Sequence, residues 1–228
     1  MEKISFETGT KTCIAYFTPN PEYLLIQPVS GDEELFLEEE VKGIESASTG
    51  NFAFVSFHVD DWNEELSPWC APPVFGKESF GEGAPKTLRY ITDELIPAAK
   101  KLLKLGEAIT VVLGGYSLAG LFSLWSAYNT KVFDCVCGIS PSVWFEGWKD
   151  YASKNKTLCR KVYLSLGTRE EKTKNKIMAS VGDNIRYQYE LLKAEDIRCI
   201  LEWNEGGHFN DPGGRCAKGF AWCLNNED

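Results

Sequence analysis

The chain has 228 residues, 43% of them hydrophobic, with 13 Phe, 9 Tyr and 7 Trp. That suffices for one well-filled globular domain over residues 1–228 and is too apolar for a disordered chain. The net charge of −9 repels phosphate backbones, which argues against nucleic acid as a partner.

Apolar runs alternate with helical patterns, which predicts an α/β domain with a mostly parallel central sheet and helices on both faces. Strands are expected over Thr12–Phe17, Tyr23–Gln27, Phe52–Val59, Ile109–Leu113, Phe133–Ile139, Lys161–Leu166 and Arg198–Trp203. A first helix is expected from Asp32 to Ala47. Ser30 and Glu33 form a capping box, and Leu37, Val41 and Ile44 make the apolar stripe. A second runs from Pro85 to Leu105, with Leu88, Ile91, Leu95, Ala98 and Leu102 on one face and Gly106 as its stop. A third begins after Ser117. A fourth spans Asn175–Ala194 on Ile177, Val181, Ile185, Tyr189 and Leu192, and a last covers Pro212–Asn225.

No run is long and apolar enough to span a membrane, and the N-terminal residues lack a basic start and an apolar signal core. The expectation is therefore a cytoplasmic protein without a membrane partner. Of eight cysteines, Cys13, Cys135, Cys137 and Cys199 fall in strand-like runs, and there is no Cys-x-x-Cys or His-Glu-x-x-His. They are expected to be reduced thiols that act as small hydrophobes, not disulfides or zinc ligands.

The most informative segment is Val111-Val112-Leu113-Gly114-Gly115-Tyr116-Ser117-Leu118-Ala119-Gly120. A branched apolar strand ends in glycines, and one hydroxyl stands at the turn into the apolar helix of Leu121, Phe122 and Trp125. This is the pattern of a nucleophile elbow, which holds a serine at a strained backbone angle with its oxygen pointing out of the sheet. Gly115 and Ala119 are small where strand and helix nearly touch. The same pattern also suits a turn that needs small residues only for packing.

A serine at such an elbow needs an acid and then a histidine later in the chain. Of the two histidines, only His208 follows Ser117, in the loop Gly206-Gly207-His208-Phe209 after a strand. His58 precedes the serine and suits a packed or site-edge role. The acid should follow the strand Lys161–Leu166, where Glu170 and Glu171 both stand; Glu170 is preferred and Glu171 is the alternative. Asp134 and Asp183 are weaker candidates. The oxyanion hole needs two backbone N–H groups. Leu118, at the helix start, supplies one. Val29 is the choice for the other, with Ser30 second, because Pro28 has no N–H.

Two connections are rich in aromatics. Residues 60–83 form a long loop with Trp62, Trp69, Phe75 and Phe80, and residues 140–160 carry Trp144, Phe145 and Trp148. Trp62, Trp69 and Trp144 are candidates for an aromatic-friendly substrate pocket, and the same residues equally suit a core.

Together, Gly115-Tyr116-Ser117-Leu118-Ala119-Gly120-Leu121, Ser140-Pro141-Ser142-Val143-Trp144, Leu166-Gly167-Thr168-Arg169-Glu170 and Gly206-Gly207-His208-Phe209 make the chain resemble the α/β-hydrolase superfamily. More narrowly, it resembles the esterase family that includes enterochelin esterases, S-formylglutathione hydrolases and feruloyl esterases. The resemblance implies a serine carboxylic ester hydrolase with a Ser-His-Glu triad, an acyl-enzyme, a small or aromatic ester as substrate, and no metal or cofactor. The chain departs from the family at Ala119, where glycine is usual, and in a glutamate where aspartate is usual. Its shortness implies trimmed early antiparallel strands, and residues 140–160 leave no room for a large lid domain. The alternative reading is a non-catalytic binding protein on the same fold.

Overall fold

The computed structural model describes residues 1–225. Eight strands form one sheet: β1 (Glu2–Thr8), β2 (Lys11–Phe17), β3 (Tyr23–Val29), β4 (Phe52–His58), β5 (Thr110–Tyr116), β6 (Cys135–Ile139), β7 (Lys161–Gly167) and β8 (Arg198–Asn204). Their spatial order is β1-β2-β4-β3-β5-β6-β7-β8. From β4 to β8 every neighbouring pair is parallel, while β1–β2 and β2–β4 are antiparallel. The early antiparallel strands expected to be trimmed are therefore present. β1 escapes sequence reading because Glu-Lys-Ile-Ser-Phe-Glu-Thr is polar and lies at the exposed edge, with only Ile4 and Phe6 packed inward.

The helices are α1 (Leu37–Ala47), α2 (Trp62–Leu66), α3 (Ala84–Tyr90), α4 (Ile96–Leu103), α5 (Leu118–Asn129), α6 (Trp148–Lys154), α7 (Lys176–Ala179), α8 (Val181–Ala194) and α9 (Pro212–Leu224). A 3₁₀ segment, Gly31–Phe36, precedes α1. The capping box read from Ser30 and Glu33 lies outside the described side chains.

Strand residues alternate between two cores. On one face Leu24, Ile26, Val55, Phe57, Leu113 and Leu164 pack with α3, α5 and α8. On the other, Leu25, Phe54, Val112, Ile139 and Tyr163 meet Leu37, Val41 and Ile44 of α1 and Phe220 and Leu224 of α9. Helix α5 is buried along almost its whole length, which explains its lack of a polar face.

The second predicted helix carries a π-helical stretch, Ile91–Leu95, between α3 and α4. The wider turn rotates the C-terminal half of this helix relative to its start. Leu88, Ile91 and Leu95 are buried as expected, but the stripe then moves to Ile96 and Ala99, and Leu102 is 46% exposed.

Cys135 of β6 and Cys223 of α9 are joined in a disulfide, against the expectation of reduced thiols throughout. They lie 88 residues apart, and only the packing of α9 on the sheet brings them together. Cys13, Cys137 and Cys159 are buried outside that bridge, as expected for small hydrophobes. Among the described residues, no helix is long and apolar enough to cross a membrane.

Candidate active site

Ser117 sits between β5 and α5 at φ 58°, ψ −119°, a backbone angle that costs an L-residue of this kind about 1–3 kcal/mol. The surroundings enforce it. The Ser117 N–H donates to the carbonyl of Ile139, and its own carbonyl accepts from the N–H groups of Leu121 and Ser142. A Cβ on Gly115 would lie 2.6 Å from the Cβ of Ala119, so the crossing tolerates nothing larger than glycine at residue 115. Ser117 Oγ lies 3.0 Å from His208 Nε2 and 3.4 Å from the hydroxyl of Ser142.

His208 Nδ1 lies 2.7 Å from Glu170 Oε2. A carboxylate can only accept, so this contact places the imidazole proton on Nδ1 and leaves the Nε2 lone pair facing the serine. Glu170 stands in a 3₁₀ turn, Glu170–Lys172, just past β7, and is 8% exposed. Its second oxygen, Oε1, accepts from the Gly167 N–H at 2.7 Å, the Ser140 hydroxyl at 2.8 Å and Arg215 Nη1 at 3.0 Å. Burial alone would raise the Glu170 carboxyl. The hydrogen bond and charge of His208, with the bonds from Ser140 and Gly167, outweigh it and hold the carboxyl below its usual value. Gly167 is needed here because a Cβ on it would meet the Gly206 carbonyl at 2.6 Å and Glu170 Oε1 at 2.8 Å.

Glu171 points elsewhere. It pairs with Arg186 through two contacts at 2.8 and 3.1 Å, and that bond holds its carboxyl low. Asp134 accepts from the Val111 N–H, Asp183 pairs with Arg186 at 3.5 Å, and neither approaches His208. His58 ends β4 with its ring 3.7 Å from Asp60 and does not line the cavity at Ser117.

Arg215, on α9, was not singled out from the sequence. Arg215 is buried, at 1% exposure. Nη1 donates to Glu170 Oε1, the Ser140 hydroxyl and the Tyr116 hydroxyl, and Nη2 donates to the carbonyls of Glu205 and Gly207. One cation thus ties the buried carboxylate to the loop that carries His208. The Tyr116 hydroxyl in turn donates to the His208 carbonyl, and burial raises that phenol to about 12. The available signal was a lone arginine beside Cys216, Ala217 and Phe220 on the apolar stripe of the last helix.

A cavity of about 360 Å³ opens over Ser117 and His208. Trp62, Phe75, Phe80, Trp144, Met178 and Phe209 supply its apolar wall, with Asn63 and Ser142 as polar points. Trp62 and Trp144 line this cavity. Trp69 does not: it packs on Phe145 and Tyr151, and its indole N–H donates to the Glu146 carbonyl, so it supports the wall from behind. Leu118 lines the cavity as the first residue of α5, where a helical N–H has no partner within its own helix. Val29 ends the adjacent strand β3, with Ser30 next to it, and neither borders the cavity.

No family model matches the sequence, and a search of the curated proteins finds no match. Solved structures do match. An IroE-like serine hydrolase from Shewanella oneidensis is similar over 98% of this chain and 80% of its own, at TM-score 0.79 and 14% identity. A siderophore hydrolase from Aspergillus nidulans matches over 100% and 94%, at TM-score 0.74 and 18% identity. The enterobactin esterase of Shigella flexneri, solved in the presence of 2,3-di-hydroxy-N-benzoyl-glycine, matches over 96% of this chain and 58% of its own, at TM-score 0.68 and 16% identity. Together with the strand order, these similarities show that the chain has the α/β-hydrolase fold.

Proposed function

We propose that the protein is a serine carboxylic ester hydrolase, one domain acting on a small or aromatic, uncharged ester. The observation that carries this reading is the unbroken line from Ser117 Oγ to His208 Nε2 and from His208 Nδ1 to Glu170 Oε2, with the serine held at an elbow.

In this reading His208 Nε2 takes the Ser117 proton as Oγ adds to the acyl carbon. Glu170 holds the Nδ1–H tautomer and stabilises the imidazolium. The Leu118 N–H receives the developing oxyanion. The imidazolium then protonates the leaving alcohol, leaving the acyl group on Ser117. Water, deprotonated by the same Nε2, attacks that acyl-enzyme; collapse returns Ser117 and frees the acid. Every proton and bond in the cycle is covered by the ester, water and these side chains.

The wall supports this substrate class. Among the described residues lining the cavity there is no lysine or arginine, so nothing there offsets the desolvation of an anionic group. Trp62, Phe75, Phe80 and Trp144 suit a flat ring. The benzoyl compound in whose presence the Shigella flexneri structure was solved supports an aromatic acyl group, though its carboxylate would meet no lysine or arginine among the described lining residues.

The test is hydrolysis of para-nitrophenyl acetate and benzoate. Wild type should turn both over, and Ser117→Ala should lose roughly 10⁴-fold or more of kcat. Equal turnover by the variant would overturn the assignment of Ser117.

A further inference from the structure

Beyond the cavity at Ser117 lies a second one of about 320 Å³, lined by Ala71, Pro72, Pro73, Val74, Phe80, Trp144, Phe145, Glu146 and Ile177. The two share the rings of Phe80 and Trp144, which stand 5.9 Å apart at their centroids. Their other walls are chain neighbours: Phe75 and Met178 face the inner cavity, Val74 and Ile177 the outer one. The same loop and the same short helix thus wall both spaces.

The outer cavity is built from parts that are tied together. Ala71 and Phe80 form an antiparallel bridge with both backbone hydrogen bonds made. Asn175, at the start of α7, donates from Nδ2 to the Val74 carbonyl at 2.8 Å. The Glu146 carbonyl is held by the Trp69 indole. Apart from the exposed Glu146, the lining is wholly apolar. A preformed apolar hollow favours an uncharged hydrocarbon or aromatic group and disfavours an anion. Ile177 is 52% exposed and Phe75 58% exposed, apolar surface that a ligand along this line would cover.

We infer that the outer cavity is a second substrate subsite. It takes an uncharged apolar or aromatic group joined to the ester by a flexible chain that passes the Phe80–Trp144 wall. The favoured substrate is then extended and bipartite, with its ester at Ser117 and its far end beside Ile177. This rests on the esterase reading for its chemistry, and on the two cavities alone for its geometry.

The test compares para-nitrophenyl acetate with para-nitrophenyl ω-phenylalkanoates of increasing chain length, and with a matching series bearing the terminal ring on the alcohol side. In at least one series, kcat/KM should rise roughly tenfold to a hundredfold once the ring reaches the outer cavity, the scale expected for burying one aromatic group. Ile177→Asp should abolish that rise through KM and leave acetate turnover unchanged. No rise in either series, or an equal rise in Ile177→Asp, would overturn the subsite. A binding arm separates this from the esterase reading. Phenylalkyl methyl ketones titrated calorimetrically into Ser117→Ala should show the same gain with length and its loss on adding Ile177→Asp, whether or not the wild type hydrolyses esters. Affinity independent of length would count against the subsite alone.

Discussion

Replacing Arg215 with methionine should damage both the fold and the rate. The residue is buried, and its guanidinium bonds Glu170, Ser140, Tyr116 and the carbonyls of Glu205 and Gly207. Methionine fills similar space without a donor, so the buried Glu170 carboxylate loses its only guanidinium partner among the described residues. Breaking one side of a buried ion pair costs about 3–5 kcal/mol. Glu170 keeps the Gly167 N–H, the Ser140 hydroxyl and His208, which places the loss near ~3 kcal/mol. With a urea slope of about 3 kcal/mol/M for a chain of this size, the midpoint should fall by roughly 1 M. The freed His208 loop should lower kcat/KM on para-nitrophenyl acetate by roughly 10²-fold, the scale of an ångström-sized misplacement. Arg215→Lys should recover part of the stability, because an ammonium restores charge but cannot reach the carboxylate and both loop carbonyls together. In the double variant with Glu170→Gln the losses should be clearly less than additive. A methionine variant within about 0.5 kcal/mol of wild type, with unchanged kcat/KM, would refute the argument.

The same hydrogen-bond network makes further predictions. Glu170→Gln should cut kcat by roughly 10³- to 10⁴-fold by favouring the wrong imidazole tautomer, whereas Glu171→Gln, which loses only its Arg186 pair, should stay near wild type; steady-state kinetics on one short ester separates them. The Glu170 carboxyl is held below its ordinary value of 4.5, so its ionised form favours the folded state above that pH. That contribution is lost as pH falls through the lower folded-state value. Urea midpoints should therefore show the penalty of Glu170→Gln at full size near about pH 7 and much reduced near about pH 3; a penalty independent of pH would contradict the ionised assignment.

Much of the fold was legible because burial imposes periodicity. Each of the expected strands exists, several extended by one to three residues at their C-terminal ends, as in β5 and β7, where Gly114, Gly115 and Gly167 mask the apolar pattern. What periodicity could not show is what depends on three-dimensional meeting. The π-helical stretch turns Leu102 outward without any mark in composition. The pairing of Cys135 with Cys223 needs α9 docked on β6. At the site, Ser117 and His208 stood out through an elbow pattern and a scarcity of histidines. Glu170 and Glu171 are chain neighbours of equal chemistry, and only the turn after β7 sends one inward and the other toward Arg186. Arg215 was hidden for a related reason: its partners come from β5, the 3₁₀ turn after β7 and the loops at residues 140 and 205–207, which no sequence window contains.

The central claim is that Ser117 is a nucleophile activated by His208. Incubation with a fluorophosphonate probe, followed by mass spectrometry of the digested protein, tests it most directly. The account predicts one phosphonyl adduct per chain, on the peptide containing Ser117, and its loss in Ser117→Ala and strong slowing in His208→Ala. An unlabelled wild type, or an adduct on another residue that persists in Ser117→Ala, would contradict it.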